Sequence, residues 1–190
     1  MEKKKTMVAD IDRSIYDIKN EDKSSYKSEK GLTRDIILDI SHRKKEPQWM
    51  TDFRLKSLDI YEAMELPSWG PSLEDLDMKH IVTYVKPDTE MKGSWSEVPS
   101  EIKDTFDKLG IPKAEHEYLA GVGAQYDSEV VYHSIKEELV RQGVIYTDME
   151  TAIRDYEDVI RQYFMKLVPP NDHKFVALHG AVWSGGSFVY

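Results

Sequence analysis

The sequence contains no cysteine. Disulfides, thiolate zinc sites, cysteine nucleophiles and Cys-ligated iron–sulfur clusters are therefore beyond what this chain can form alone. A basic excess is also missing. The 26 Lys and Arg stand against 35 Asp and Glu, a formal net charge of −9, which argues against general nucleic-acid binding. Long apolar runs are absent as well. The longest stretch without Asp, Glu, Lys or Arg is Phe175 to Tyr190, and His179, Gly180, Ser184, Gly185, Gly186 and Ser187 interrupt it. A membrane span needs about 20 mostly apolar residues. Met1-Glu-Lys-Lys-Lys5 looks like a basic leader, but no apolar segment follows it, and no Asn-x-Ser/Thr sequon occurs. A cytoplasmic protein is expected. What remains is ample for folding: 190 residues, 40% hydrophobic and 11% aromatic, enough for a core and inconsistent with full disorder.

The first thirty residues hold 8 Lys and Arg and 7 Asp and Glu, with few apolar positions, so residues 1–30 are expected to form an extended or disordered leader. A helical pair should follow. Thr33 can cap a helix with Ile36, Ile37 and Ile40 on one face, closed by His42, Arg43, Lys44 and Lys45. Pro47 ends it and can open a second helix, with Met50, Phe53, Ser57, Tyr61 and Met64 at helical spacing through Leu66. Leu66 to Pro71 is turn chemistry around Trp69.

Residues 80–86 alternate and are β-branched, predicting a short strand ended by Pro87. A loop over Gly93–Ser100, a helix over Glu101–Leu109 stopped by Gly110, and a helical turn from Pro112 towards Ala120 come next. Gly121-Val-Gly123 reads as a break, Glu129–Tyr132 as a strand, Ile135 to Val140 as a helix ended by Gly143, and Val144–Tyr146 as another strand. Thr147-Asp-Met-Glu150 fits a capping box, and Tyr156, Ile160, Tyr163, Phe164 and Leu167 continue one helical face. Asn171 or Asp172 can cap a last helix, Gly185-Gly186 ends it, and Ser187–Tyr190 is apolar and strand-like. The class is α+β and helix-rich.

The motifs that could carry chemistry fail one by one. His116-Glu117 begins a zinc-protease His-Glu-x-x-His, but Ala120 stands where the second imidazole is required. Gly121-Val-Gly123 lacks the third glycine of a dinucleotide fingerprint and follows a helical stretch. There is no P-loop and no Gly-x-Ser-x-Gly elbow. Of the histidines, His42, His80, His116 and His133 are dispersed. His173 and His179 are six residues apart, so on a helix their faces differ by about 120°. His133 reads as a satisfied, half-buried imidazole, and Trp49, Trp69 and Trp183 as packing anchors. From Glu97 to Asp158 there are 15 Asp and Glu against 6 Lys and Arg, which solvated helix faces account for better than a docking surface for a basic partner or metal ions. No catalytic, cofactor-binding or metal-ligating residue is nominated.

Several blocks, in order, resemble the SufB/SufD family, the scaffold subunits of SUF iron–sulfur cluster assembly. They are Gly31-Leu-Thr33, Glu46-Pro-Gln-Trp-Met50 with Phe53-Arg-Leu-Lys56, Pro67-Ser-Trp-Gly70, and Leu109-Gly-Ile-Pro112. Tyr118-Leu-Ala-Gly-Val-Gly-Ala-Gln-Tyr126, Glu129-Val-Val-Tyr-His133 and the long block Lys174 to Tyr190 complete the set. The resemblance covers Tyr16 to the last residue and is to the family's amino-terminal part. It implies that a right-handed β-helix follows the Ser187–Tyr190 strand. Residues 31–170 would then be a helix-rich α+β amino-terminal domain, and residues 171–190 a helix and strand leading into the β-helix. The family's proposed cluster ligands, a cysteine and a glutamate, lie in the part missing here, as do most contacts to the SufC ATPase and the SufD subunit. No family site residue can be carried onto this chain. Some family complexes are reported to bind a flavin.

The resulting expectation is a non-enzymatic amino-terminal portion of an iron–sulfur assembly scaffold, accessory and partner-binding, that does not itself hold the cluster. The rivals are a free-standing acidic interaction module and a metal-assisted hydrolase. Ser187–Tyr190, an apolar strand with no partner in view, is expected to pair with another chain.

Overall fold

The computed structural model describes residues 23–70, 72–111 and 121–190. The elements in order are β1 (Ser24–Lys27), α1 (Arg34–Arg43), α2 (Gln48–Ala63), β2 (Val85–Pro87), α3 (Ser100–Lys108), β3 (Gly121–Tyr126) and β4 (Glu129–Ile135). They continue with α4 (Glu137–Arg141), β5 (Tyr146–Asp148), α5 (Met149–Asp155), α6 (Glu157–Tyr163), α7 (Lys174–Val182) and β6 (Ser187–Val189). The strands pair antiparallel as β1–β2, β3–β4 and β5–β6. This is the mixed, helix-rich arrangement expected for α+β.

The helical body is α1, α2 and α7. The Thr33 hydroxyl accepts from the Ile36 N–H at 3.3 Å, satisfying one orphan donor of the first turn. Ile36, Ile37 and Ile40 are buried. Pro47 stands at the N-cap of α2, where its missing N–H costs nothing. The α7 helix lies along α2 through a face of Ala177, Gly180 and Ala181. A Cβ on Gly180 would stand 2.6 Å from the Ser57 Oγ, so glycine sets how closely the two helices approach. Met50, Ala152, Ile153, Ile160 and Trp183 form a second core between this body and α5–α6. The β3–β4 hairpin and α3 share a third, built on Val98, Ile102, Ala124, Val131 and Tyr132.

Several expectations need correcting. The strand read at 80–86 is a 3-10 turn over Met78–His80, a bridge from Val82 to Lys30, and then β2, which includes Pro87. Only the short β1 pairs it, and an edge strand tolerates proline. The loop over Gly93–Ser100 carries a 3-10 turn, Trp95–Glu97. Gly121 and Gly123 are not a break but the first residues of β3. The cap of α5 is Asp148, whose carboxylate accepts the Thr151 N–H, rather than Thr147. The helical face from Tyr156 is split at Tyr156, which leaves helical geometry between α5 and α6, and Leu167 is 98% exposed. The α7 cap is His173, not Asn171 or Asp172. Trp183 is buried, but Trp69 is 78% exposed, meeting His173 edge-on at the surface.

The strand Ser187–Val189 is not unpaired. It pairs with β5 in the register Tyr146–Val189, Thr147–Phe188 and Asp148–Ser187, and Ile145 and Tyr190 exchange both backbone hydrogen bonds at 2.9 Å. The expected self-association through Ser187–Tyr190 rested on a missing partner that the chain itself provides. In the charged leader, Ser24–Lys27 forms β1, with Tyr26 tucked against Tyr84. Residues 1–22, Pro71, and residues 112–120, where a helical turn with His116 is expected, lie outside the described residues.

Candidate functional site

Buried charges are where chemistry or architecture must declare itself, because each needs a partner or gives up its charge. Arg54 on α2 is fully buried. Its Nε and Nη2 donate to the Glu46 carboxylate at 2.7 and 2.6 Å. Nη1 and Nη2 donate to the carbonyls of Ala181 and Trp183, both at 3.0 Å. The guanidinium therefore caps the C-terminal end of α7 with positive charge, 4.6 Å over the Trp183 ring.

A second network joins the helical body to the hairpin. Lys44, at the C-cap of α1, sends its Nζ to Glu150 at 2.7 Å and to Glu129 at 3.2 Å. Tyr84 donates its hydroxyl to Glu129 and faces the Lys44 ammonium with its ring. Glu150 also accepts the Gly185 N–H at 2.9 Å. Burial, then the hydrogen bond and charge of Glu129, push the Tyr84 phenol far above its ordinary value, so it stays an O–H donor. One cation thus holds carboxylates from β4 and α5 together. The group lines a polar cleft of about 390 Å³ that also carries Arg43, Lys45, Lys86 and Arg154.

Beside it, glycines let the hairpin seat against β5–β6. A Cβ on Gly121 would overlap the Tyr146 ring, and one on Gly123 would stand 3.2 Å from the Tyr146 hydroxyl. His133, directly across from Gly123, packs its ring 4.6 Å from Tyr146. The expectation of a satisfied imidazole does not hold: His133 Nε2 is buried with no protein partner. Burial lowers the His133 pKa, partly countered by the charge of Asp148. Burial pushes Asp148 up, but hydrogen bonds from Thr151 outweigh it and hold the carboxyl below its ordinary value. Gly185, at a φ of 68°, gives up the space that the Gln125 side chain takes.

Chemically this is a joint. Lys44 is clamped by carboxylates and Tyr84 holds its proton, so neither serves as a base. Serine, histidine and carboxylate do not form a nucleophile–base–orienter set among these residues. His42 and His80 are exposed, and His80 is engaged with Asp77. His173 and His179 share the wall of one groove. Among the described residues, no group of three or more His, Cys, Asp and Glu could hold a metal ion. No helix is long and apolar enough to cross a membrane, among the same residues.

A family model described as the SufBD protein N-terminal region matches residues 39–190. The chain belongs to the SufBD family. It is 53% identical over 181 residues to the iron–sulfur cluster assembly protein SufB of Bacillus subtilis (strain 168). A SufBD family protein of Staphylococcus epidermidis is 53% identical and one of Staphylococcus aureus (strain USA300) 51% identical over the same length. Each match covers 95% of this chain but 39% of the relative, so the chain spans about two fifths of these SufBD proteins.

Some of the blocks that carry the SufBD resemblance contribute residues to the joint. Glu46 and Arg54 hold the end of α7 at Trp183, Gly121 and Gly123 admit Tyr146, and Glu129 takes Lys44. Sequence reading saw His42 to Lys45 only as helix-end charge and missed Lys44, Glu129 and Glu150. The available signal was Arg54 alone, a charge set between Phe53 and Leu55 on the helix face that should need a counter-charge.

Proposed function

We propose that this chain is the accessory, partner-binding amino-terminal region of an iron–sulfur cluster assembly scaffold, with no catalysis of its own. Any cluster or flavin is held outside it. The carrying observation is the family match over residues 39–190 together with 53% identity to an iron–sulfur cluster assembly protein. The absence of cysteine supports the second half, because thiolates are the usual cluster ligands. The joint supports the first. A rigid frame fixed by buried ion pairs suits a part that positions neighbours, here a SufC-like ATPase and a SufD-like subunit in the cytoplasm.

The test is a graft. This chain replaces the matching amino-terminal region of the Bacillus subtilis relative, and iron–sulfur enzyme activity is measured in cells lacking the native protein. The reading predicts restored activity from the graft and none from the free chain. Activity with the free chain, or a graft that assembles the complex but stays inactive, overturns it.

A further inference from the structure

The segment between α6 and α7 is fixed at its base and bare at its tip. Phe164 anchors one side, with its ring 5.3 Å from Phe53 and 5.2 Å from Trp183. Pro170 anchors the other, its Cγ 3.4 Å from where a Gly180 Cβ would stand. Two tight turns, Tyr163 C=O to Lys166 N–H at 3.1 Å and Pro169 C=O to Asp172 N–H at 2.9 Å, brace the span. Met165 is held at a φ of 47°, a left-handed conformation that side chains adopt only when the surroundings impose it. The product of this bracing is Leu167 standing almost wholly in solvent, with Val168 and Tyr163 more than half exposed beside it.

These three residues wall an apolar groove of about 470 Å³, floored by Phe175 and Val176 of α7. Trp69 continues the apolar surface, edge-on to His173 at 5.9 Å. Exposed apolar residues scattered singly mean little, whereas a contiguous apolar surface around a groove marks a contact site. A braced loop also loses little entropy on binding, which favours affinity. The groove's charge is as distinctive as its shape. In a chain with 35 Asp and Glu, its lining carries no carboxylate; its polar residues are Lys166, His173 and His179. The first turn of α7, which opens on this groove, carries no acidic residue; the nearest, Asp172, precedes the His173 cap and is not among the groove's lining.

We propose that this groove docks an apolar segment of another protein whose bulky side chains are flanked by Asp or Glu. Leu167, Val168 and Trp69 supply the apolar contact, and Lys166 with the α7 N-terminal end selects the acidic flank. The site is remote in chemistry from the cluster-assembly reading, since peptide binding and iron retention are separate measurements.

The probe is a fluorescein-labelled synthetic helical peptide with Leu at the core positions of two heptads and Glu elsewhere, titrated into the purified chain by fluorescence anisotropy. Its control carries Lys for every Glu. The Glu peptide should bind saturably and the Lys peptide about tenfold more weakly or worse. L167S/V168S should weaken the Glu peptide by at least about tenfold, and K166E should narrow the gap between the peptides. These side chains are exposed, so unfolding midpoints should match the parent, confirming that each variant is folded. Equal binding of both peptides, no binding, or binding indifferent to L167S/V168S overturns the proposal. A dimer in sedimentation that L167S/V168S abolishes assigns the groove to a second copy and overturns it too.

Discussion

Lys44→Met removes one ammonium and keeps the length of the side chain. Its Nζ is the cation between Glu150 at 2.7 Å and Glu129 at 3.2 Å, and its side chain is 2% exposed against 10% and 22% for the two carboxylates. Without it, two like charges from β4 and α5 face each other at the edge of the core. Removing one partner of a buried pair costs about 3–5 kcal/mol, because the remaining charge is left uncompensated. Glu129 is the more open of the two, so water relieves part of that cost and about 3 kcal/mol is the expectation. Glu150→Gln is milder, about 1–2 kcal/mol, since the amide oxygen still accepts the Gly185 N–H. The double variant should cost less than the sum of the singles by about 1 kcal/mol or more, the mark of direct coupling. Urea unfolding of the four proteins at neutral pH supplies the cycle. The deficit of Lys44→Met should persist in high salt, which screens exposed pairs far more than buried ones. Additive effects, or a Lys44→Met cost that vanishes in salt, would refute a buried joint.

Arg54→Met should cost about 3–5 kcal/mol, stranding Glu46 and uncapping α7, and the helix signal should fall with the unfolding midpoint. Gly121→Ala should destabilise by about 1–3 kcal/mol through overlap with Tyr146, and Tyr146→Ala introduced on top of it should add less than it does alone. The pH dependence follows from His133 and His179, both depressed, first by burial. Well above the ordinary imidazole value of about 6.5 both are neutral whether the chain is folded or not, and they add no slope. As pH falls below that, the unfolded chain takes protons first and stability drops, until the folded imidazoles protonate too. His133→Gln should flatten that slope, with unchanged slope in urea titrations across pH 5–7 counting against a buried neutral imidazole. Asp148 is depressed too, and its contribution is likewise lost as pH falls, but only at more acid pH.

The helical body was readable because its signals are local. Thr33, the Ile36–Ile37–Ile40 stripe and Pro47 lie within a few turns of what they organise. The hairpin was misread at Gly121 and Gly123 because a glycine pair means a turn unless one knows that a ring must fit against the strand. That ring, Tyr146, lies more than twenty residues away. Caps slipped by a residue or two where several candidates adjoin, as at Thr147 and Asp148. The joint was illegible for the same reason of distance: Lys44 meets Glu129 across 85 residues and Glu150 across 106. Nothing in local periodicity pairs them. What the motifs did carry was family membership, and the structure joins some of those blocks through Arg54, Glu46 and Glu129.

The proposed role, framing an assembly scaffold without holding its cluster, is open to direct test. Anaerobic incubation of the purified chain with ferrous iron, sulfide and reductant, followed by desalting, tests it most directly. The account predicts no retained iron or sulfide and no visible cluster absorbance. Iron and sulfide retained in a fixed ratio to protein, with that absorbance, would contradict it.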